Sequence, residues 1–257
     1  MPLCRRLIAR LDIKPPHLIK PINLEGVRIV GDPHEYATRY NDEGIDELLY
    51  IDAVSSLYGR NGILAIVERA VADVFCPVTV GGGIRSLEDA RAAFLAGADK
   101  IALNSAVVRR PELITELAQK YGNQAVVLQL DAKRKPDGSY EAYTDGGREP
   151  SGKDAVAWAQ EAVARGAGEI LVTSIDAEGT RRGCDTALLE RISRAVHTPI
   201  TYSGGIGRPE HVIDAFRADA SGVAIAHALH YRTTTLGEIR MAVAQAGFHV
   251  RPVEVAA

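Results

Sequence analysis

The segment Gly44-Ile-Asp-Glu-Leu-Leu49 returns 122 positions later as Gly166-Ala-Gly-Glu-Ile-Leu171. The same offset carries Gly81-Gly-Gly-Ile84 onto Ser203-Gly-Gly-Ile206 and Ala98–Ala102 onto Ala220–Ala224. Three separated segments sharing one spacing mark an internal duplication, and each copy alternates short β-type runs with helix-like stretches. Strands are expected at Arg6–Asp12, Glu47–Asp52, Pro77–Val80, Lys100–Asn104, Ala125–Asp131, Glu169–Ser174, Pro199–Ser203 and Gly222–Ala226. Helices fit between them at Pro33–Glu43, Ile63–Val74, Leu87–Ala96, Pro111–Tyr121, Lys153–Arg165 and Ala187–Ala195, with Ser86 and Ser151 as expected N-caps. Alternating strands and helices make a parallel sheet with crossover connections. Eight such units in 257 residues predict an α/β fold, one (β/α)8 barrel domain over residues 1–257, made of two (βα)4 half-barrels at about 1–122 and 123–257.

Composition narrows the function. Hydrophobic residues make up 46% of the chain, enough for a large core, and 30 basic against 33 acidic residues leave a net charge of −3. No overall positive field is available for nucleic acid or membrane, which favours small-molecule chemistry. The three cysteines, Cys4, Cys76 and Cys184, are widely spaced and suit a reducing, cytoplasmic setting; they lack the short spacings of metal sites. The N-terminal MPLCRRLIARLD is broken by charges, so neither a signal peptide nor a membrane span is expected.

Strand 1 ends in Leu11-Asp12-Ile-Lys14 and strand 5 in Leu130-Asp131-Ala-Lys133. Strands 1 and 5 of an eight-stranded barrel face each other, so both carboxylates are expected at the mouth, where barrel enzymes act. An opposed pair can supply a base on one side of a substrate and an acid on the other. The glycine loops at Gly82-Gly83 and Gly204-Gly205 each follow a strand, where bare N–H groups can receive phosphate. Two symmetrically placed loops suggest a substrate with a phosphate at each end, the sites being completed by Asn104-Ser105 after strand 4 and Ala226-His227 after strand 8. Thr173, Ser174, Glu178 and Thr180, at and after the end of strand 6, are expected to line the mouth, whereas Asp145-Gly-Gly147 reads as a surface hairpin or mobile loop without chemistry. His17 and His227 lack the partner spacing of metal ligands.

At the opposite strand ends sit Arg6, Glu47, Lys100 and Glu169, whose charges can close a ring over the barrel floor. Alternation along strand 1 puts Arg6, Ile8 and Arg10 on the same face as Asp12, and places Gln129 beneath Asp131. Arg10 is therefore expected inside the barrel, paired with an active-site carboxylate that it holds ionised.

With the aspartates, glycine loops and repeat in place, the chain resembles the cyclase subunit of imidazole glycerol phosphate synthase over nearly its full length. The stretches that carry the resemblance include Ile8-Ala-Arg-Leu-Asp12-Ile-Lys14, Thr79-Val-Gly-Gly-Gly-Ile84, Asp131-Ala-Lys-Arg134, Thr173-Ser-Ile-Asp176 and Ser203-Gly-Gly205. The resemblance implies an enzyme that takes ammonia from a glutaminase partner through the barrel, without a cofactor or metal. It condenses that ammonia with phosphoribulosyl-formimino aminoimidazole carboxamide ribonucleotide, giving imidazole glycerol phosphate and the aminoimidazole carboxamide ribonucleotide of histidine biosynthesis. It implies Asp12 and Asp131 as the acid–base pair and Lys20 as an assisting residue on a mobile loop. Asn104, Ser105, Gly83, Gly179 and Gly205 fall in the implied phosphate sites. Arg6, Glu47, Lys100 and Glu169 become an ammonia gate, and Asp99 a contact to the glutaminase.

The chain departs from the family pattern in places. Pro15-Pro16 replaces Asp-Gly and is expected to stiffen the loop after strand 1; Arg10 replaces a small Cys, His227 a Ser, Glu178 an Asp, and Tyr202 an Ala-like residue. Arg10, Gln129 and Tyr202 are expected to make the central passage bulkier. Three alternatives therefore stand beside the cyclase: a paralogue using partner-derived ammonia on another substrate such as a surface-polysaccharide sugar, the related phosphoribosyl-formimino isomerase, and a catalytically silent glutaminase-binding barrel.

Overall fold

The protein was analysed as a computed structural model that describes residues 4–55 and 62–252; residues 1–3, part of the N-terminal stretch read above, lie outside it. The strands are β1 (Arg6–Lys14), β2 (His17–Ile22), β3 (Glu25–Gly31), β4 (Glu47–Asp52), β5 (Val78–Gly81), β6 (Lys100–Leu103), β7 (Val126–Arg134), β8 (Tyr140–Thr144), β9 (Glu149–Asp154), β10 (Glu169–Ser174), β11 (Ile200–Ser203) and β12 (Gly222–Ile225). The helices are α1 (Pro33–Asp42), α2 (Leu64–Val71), α3 (Leu87–Leu95), α4 (Ser105–Arg109), α5 (Glu112–Tyr121), α6 (Ala155–Ala164), α7 (Thr186–Ala195), α8 (Pro209–Arg217), α9 (His227–His230) and α10 (Leu236–Gln245). Strands β1, β4, β5, β6, β7, β10, β11 and β12 pair in parallel in that order, and β12 returns to β1, closing a (β/α)8 barrel. Each expected strand is present.

The duplication extends to hydrogen-bond register. Leu49 pairs with Thr79 and Thr79 with Lys100, while Leu171 pairs with Thr201 and Thr201 with Gly222, each partner shifted by the sequence offset. Equivalent residues of the two halves therefore point the same way and sit at the same height.

Two hairpins extend the barrel at the mouth. β1 runs two residues past Asp12 and turns through Pro15-Pro16 into β2, which pairs with β3; β7 runs past Asp131 into β8, which pairs with β9. The second hairpin corrects one expected cap. Ser151 lies within β9 and donates its hydroxyl to the Ala142 carbonyl (2.6 Å), and Asp154 caps α6 by accepting from the Val156 and Ala157 N–H groups. Ser86 caps α3 as expected, accepting from Asp89 N–H.

Alternation divides the buried residues into two layers. Leu7, Ala9, Leu11 and Ile13 of β1 face the helices and join the main core, whereas Ile8, Leu49, Ala102, Val127, Leu171 and Ala224 fill the barrel interior as an apolar collar. Tyr202 belongs to the outer layer. Its hydroxyl accepts from the Asp185 N–H (2.7 Å) at the start of α7, so it does not narrow the central passage, contrary to the sequence expectation. Ser203, one residue on, takes the inward position.

Below the collar, the four expected charges close a ring. Arg6 reaches Glu47 (2.9 Å) and Glu169 (2.6 Å), and Lys100 reaches the same two carboxylates at 2.9 Å each. The symmetry-equivalent Thr79 and Thr201 donate to Glu47 (2.6 Å) and Glu169 (2.7 Å). Burial would raise the Glu169 carboxyl, but Arg6 and Lys100 outweigh it and hold it at about 2. A carboxylate depressed in the folded state stabilises fully above its unfolded pKa and loses that contribution as pH falls through the folded one. Glu169→Gln is expected to cost on the order of 3 kcal/mol in denaturant unfolding near neutral pH. The difference from the parent protein should shrink between about 4.5 and about 2; a pH-independent difference would count against the ring as its source.

Candidate active site

The mouth is organised around Arg10, whose side chain is 2% exposed inside the barrel. Its Nε donates to Asp12 Oδ1 (2.9 Å), and one terminal nitrogen donates to Thr173 Oγ1 (3.1 Å) and Ser203 Oγ (3.0 Å). The expected pairing of Arg10 with an active-site carboxylate is present. Each acceptor comes from a different strand, so the guanidinium joins β1, β10 and β11 from within. Burial disfavours the charged guanidinium, but Asp12, Glu178 and Asp131 reverse that effect and raise its pKa.

Asp12 and Asp131 are both buried, yet their surroundings differ in sign. Burial pushes the Asp12 carboxyl up, but Arg10 and then Lys20 overcome it and hold it below the usual carboxylate range. Among the described residues its Oδ2 accepts no hydrogen bond, and it lies 3.8 Å from Lys20 Nζ, which leaves its lone pairs able to accept one. Asp131 has only partial compensation. Burial prevails and its carboxyl is raised, although the charge of Arg10 and hydrogen bonds from Gln129 (3.3 Å) and Asn104 (2.8 Å) oppose it. The pair is thus an ionised acceptor facing a more readily protonated donor, the separation that acid–base work at two points of one molecule needs.

The glycine loops lie on separate cavities. Gly82, Gly83, Asn104 and Ser105 line an open cavity of about 320 Å³ together with Asp12, Asp131, Arg10 and Gln129. Gly179, Gly204, Gly205, Ala226 and His227 line a second of about 10 Å³, with Lys20 and Glu178 on its wall. The backbone requires glycine at Gly82 and Gly205, both at positive φ. A Cβ would meet the Asp52 carbonyl at Gly82 and the Gly183 carbonyl at Gly205. Thr173 borders neither cavity; it is fully buried as an acceptor for Arg10.

The second cavity is small because the β2–β3 hairpin lies over it. Lys20, buried on β2, forms an ion pair with Glu178, and Asn23 N–H donates to the Glu178 carbonyl (2.9 Å). The conformation of this segment was not legible beforehand. On the opposite side, Asp145, Gly146 and Arg148 of the β8–β9 turn line the open cavity, so the hairpin expected there stands on the cavity wall. Asp145 N–H donates to Ser105 Oγ (2.9 Å), and its carboxylate pairs with Arg109 (2.9 Å).

Sequence reasoning also missed Asp52, Arg85 and Arg109 on the rim. Arg85 directly follows the glycine loop, a position from which a cation meets an anion bound there, and this was the available signal. His227 has a depressed pKa from burial first and then Arg181 and Lys20, and is therefore neutral at physiological pH in the free protein. Thr180 folds back on its loop, donating to the Ala177 carbonyl (2.6 Å).

Linkage gives the two aspartates opposite effects on stability. Depressed Asp12 stabilises above its unfolded pKa and loses this as pH falls through its folded pKa, whereas raised Asp131 destabilises progressively as pH rises past its unfolded pKa. Carbon-detected NMR titration of the free protein should find Asp12 below and Asp131 above the ordinary carboxylate range. In Arg10→Gln, Asp12 should move upward, toward or beyond that range, because burial remains and its main counter-ion is gone. An Asp12 titration unmoved by the substitution would contradict the assignment.

Residues 6–235 match the family described as "Histidine biosynthesis protein". A curated relative from Legionella pneumophila is 53% identical over 205 residues, 80% of this chain and 97% of its own. One from Beutenbergia cavernae is 45% identical over 256 residues, 98% of this chain and all of its own, and one from Myxococcus xanthus 46% over 250 residues, 97% and 98%. All three bear the name "Imidazole glycerol phosphate synthase subunit HisF". The chain belongs to the histidine biosynthesis protein family, as a member of its HisF group.

Proposed function

We propose that this chain is the cyclase subunit of imidazole glycerol phosphate synthase. It uses ammonia to convert phosphoribulosyl-formimino aminoimidazole carboxamide ribonucleotide into imidazole glycerol phosphate and the aminoimidazole carboxamide ribonucleotide, with release of water. The observation that carries the reading is the pair of buried aspartates, one held ionised and one raised, bordering the open cavity. Asp12 Oδ2 takes protons from the nitrogen that adds to substrate, and Asp131 gives one to the departing oxygen. The loops at Gly82-Gly83 and Gly204-Gly205 hold the two phosphates, with Asn104, Ser105, Gly179 and His227 beside them. Lys20 sits on a hairpin that must shift from Glu178 to admit the second phosphate. This places it to meet that phosphate and to support Asp12.

The glutaminase partner docks at the barrel base in a cytoplasmic heterodimer, and ammonia enters by the ring of Arg6, Glu47, Lys100 and Glu169. Asp99 stands exposed beside that ring, its Oδ2 accepting from the Val78 N–H (2.8 Å), and is assigned to the docking face. Residues 1–257 act as one barrel domain. A paralogue acting on another substrate is favoured only by Arg10, at the position where the family carries a small side chain.

The purified protein, given the phosphoribulosyl intermediate and excess ammonium salt at alkaline pH, should form both products. Asp12→Asn and Asp131→Asn should each lower the rate by about 100-fold or more, the usual contribution of a positioned acid or base. Absence of turnover would remove the proposed substrate, isomerised substrate without cyclisation would favour the isomerase, and full activity in both variants would overturn the acid–base assignment.

A further inference from the structure

The barrel interior is stacked in four levels: the charged ring, the apolar collar, the level of Arg10, Gln129, Thr173 and Ser203, and the aspartates. The open cavity reaches down from the mouth to Arg10, Gln129, Ile51 and Ala102 and stops there. The deeper collar residues Ile8, Leu49, Val127 and Leu171 do not border it. Its floor is therefore the guanidinium, held across the interior by β1, β10 and β11, together with Gln129, Ile51 and Ala102 beside it. We propose that Arg10 is a stopper on the barrel axis, closing the route from the base to the mouth in the free protein, so that ammonia from below reaches substrate only when Arg10 swings aside.

The inference rests on the cyclase reading, because only a nucleophile delivered through the floor needs this route. Ammonia from bulk solution enters the open cavity directly. Two features make the movement feasible without stranding a buried charge. The cavity directly above, about 320 Å³, has room for a guanidinium, with Asp131 on its wall as a second carboxylate partner. Asp12 also has a replacement counter-ion, since Lys20 Nζ already lies 3.8 Å from its Oδ2 and is retained by Glu178. A phosphate arriving beside Gly204 and Gly205 brings negative charge against Glu178, which loosens Lys20 toward Asp12 and frees Arg10. Substrate binding thereby favours opening.

The test compares two supplies of nitrogen. The heterodimer with the cognate glutaminase is assayed on the phosphoribulosyl substrate with glutamine alone and, separately, with ammonium chloride alone, and the ratio of the two kcat values is taken. Asp12 chemistry is common to both supplies, so damage to it cancels in the ratio, as does a general loss of folded protein. In Arg10→Ser the ratio of glutamine-driven to ammonium-driven turnover should rise about fivefold or more, the factor that ~1 kcal/mol of barrier represents. Arg10→Gln, which keeps polar contact with Thr173 and Ser203 but is shorter, serves if the Ser variant does not fold and should shift the ratio the same way. Arg10→Lys should stay near the parent value. A ratio unchanged or lowered in the folded Ser or Gln variant would overturn the stopper while leaving the cyclase reading intact. If the parent turns over with neither nitrogen source, the cyclase reading itself falls, and the stopper with it.

Discussion

An arginine enclosed in a parallel β-barrel needs a counter-charge and acceptors for its N–H groups, or the cost of removing it from water opposes closure. Arg10 meets that condition through Asp12, Thr173 and Ser203, which come from β1, β10 and β11. The same contacts then fix much else. Asp12 cannot rotate freely, because Oδ1 is committed to Arg10 and only Oδ2 remains available. Asp131 feels Arg10 without a direct bond to it and accepts from Gln129 and Asn104, and burial still raises its carboxyl. Arg10 acts on both symmetry-related carboxylates, but it bonds directly only to Asp12, which also has Lys20 beside it; the second half has Gln129 at the place corresponding to Arg10, and the chemical difference follows from that.

That asymmetry is imposed on a scaffold that is otherwise duplicated down to its register. Both glycine loops keep left-handed backbone at matching positions, and both ring glutamates receive a hydroxyl from the threonine one strand on. What differs is how the mouth is covered. The β8–β9 hairpin stands beside the first-half loop and contributes lining residues, whereas β2–β3 lies over the second-half loop, held by Lys20, Glu178 and Asn23. An elongated ligand meets one prepared end and one that must displace an ion pair.

The features legible in the sequence are those governed by short periods. Offset and alternation located the barrel strands, turned Arg10 inward and set Gln129 under Asp131, because a parallel register and a two-residue pleat repeat faithfully. The same alternation sends Tyr202 outward once Ser203 faces in, so its direction was readable and its bulk was misleading. Ser151 and Asp154 are equally good cap types; the pairing of β8 with β9 decides between them, and that pairing is tertiary. The β2–β3 hairpin was illegible for a related reason. Its position depends on Asn23 and Lys20 meeting a loop more than 150 residues away, and no local pattern encodes that contact.

Site residues divide along the same line. Those at strand ends, Asp12, Asp131, Asn104 and the loop glycines, inherit their place from the barrel and could be named in advance. Arg85, Arg109, Arg148 and Asp145 reach the cavity from loops and a short helix, and three of these four are cations above a glycine loop suited to phosphate. Arg109 is already bound to Asp145, so its charge is partly spent on holding the β8–β9 turn against α4, leaving Arg85 and Arg148 as the cations nearer to free. A terminal nitrogen of Arg85 donates to the Ser55 carbonyl (2.7 Å), which anchors the guanidinium without neutralising its charge. The open end of the mouth thus carries cations that do not follow the two-fold repeat, whereas at the closed end Lys20 is paired with Glu178. Duplication built the frame, and residues outside the repeat make its two ends differ in lining and in size.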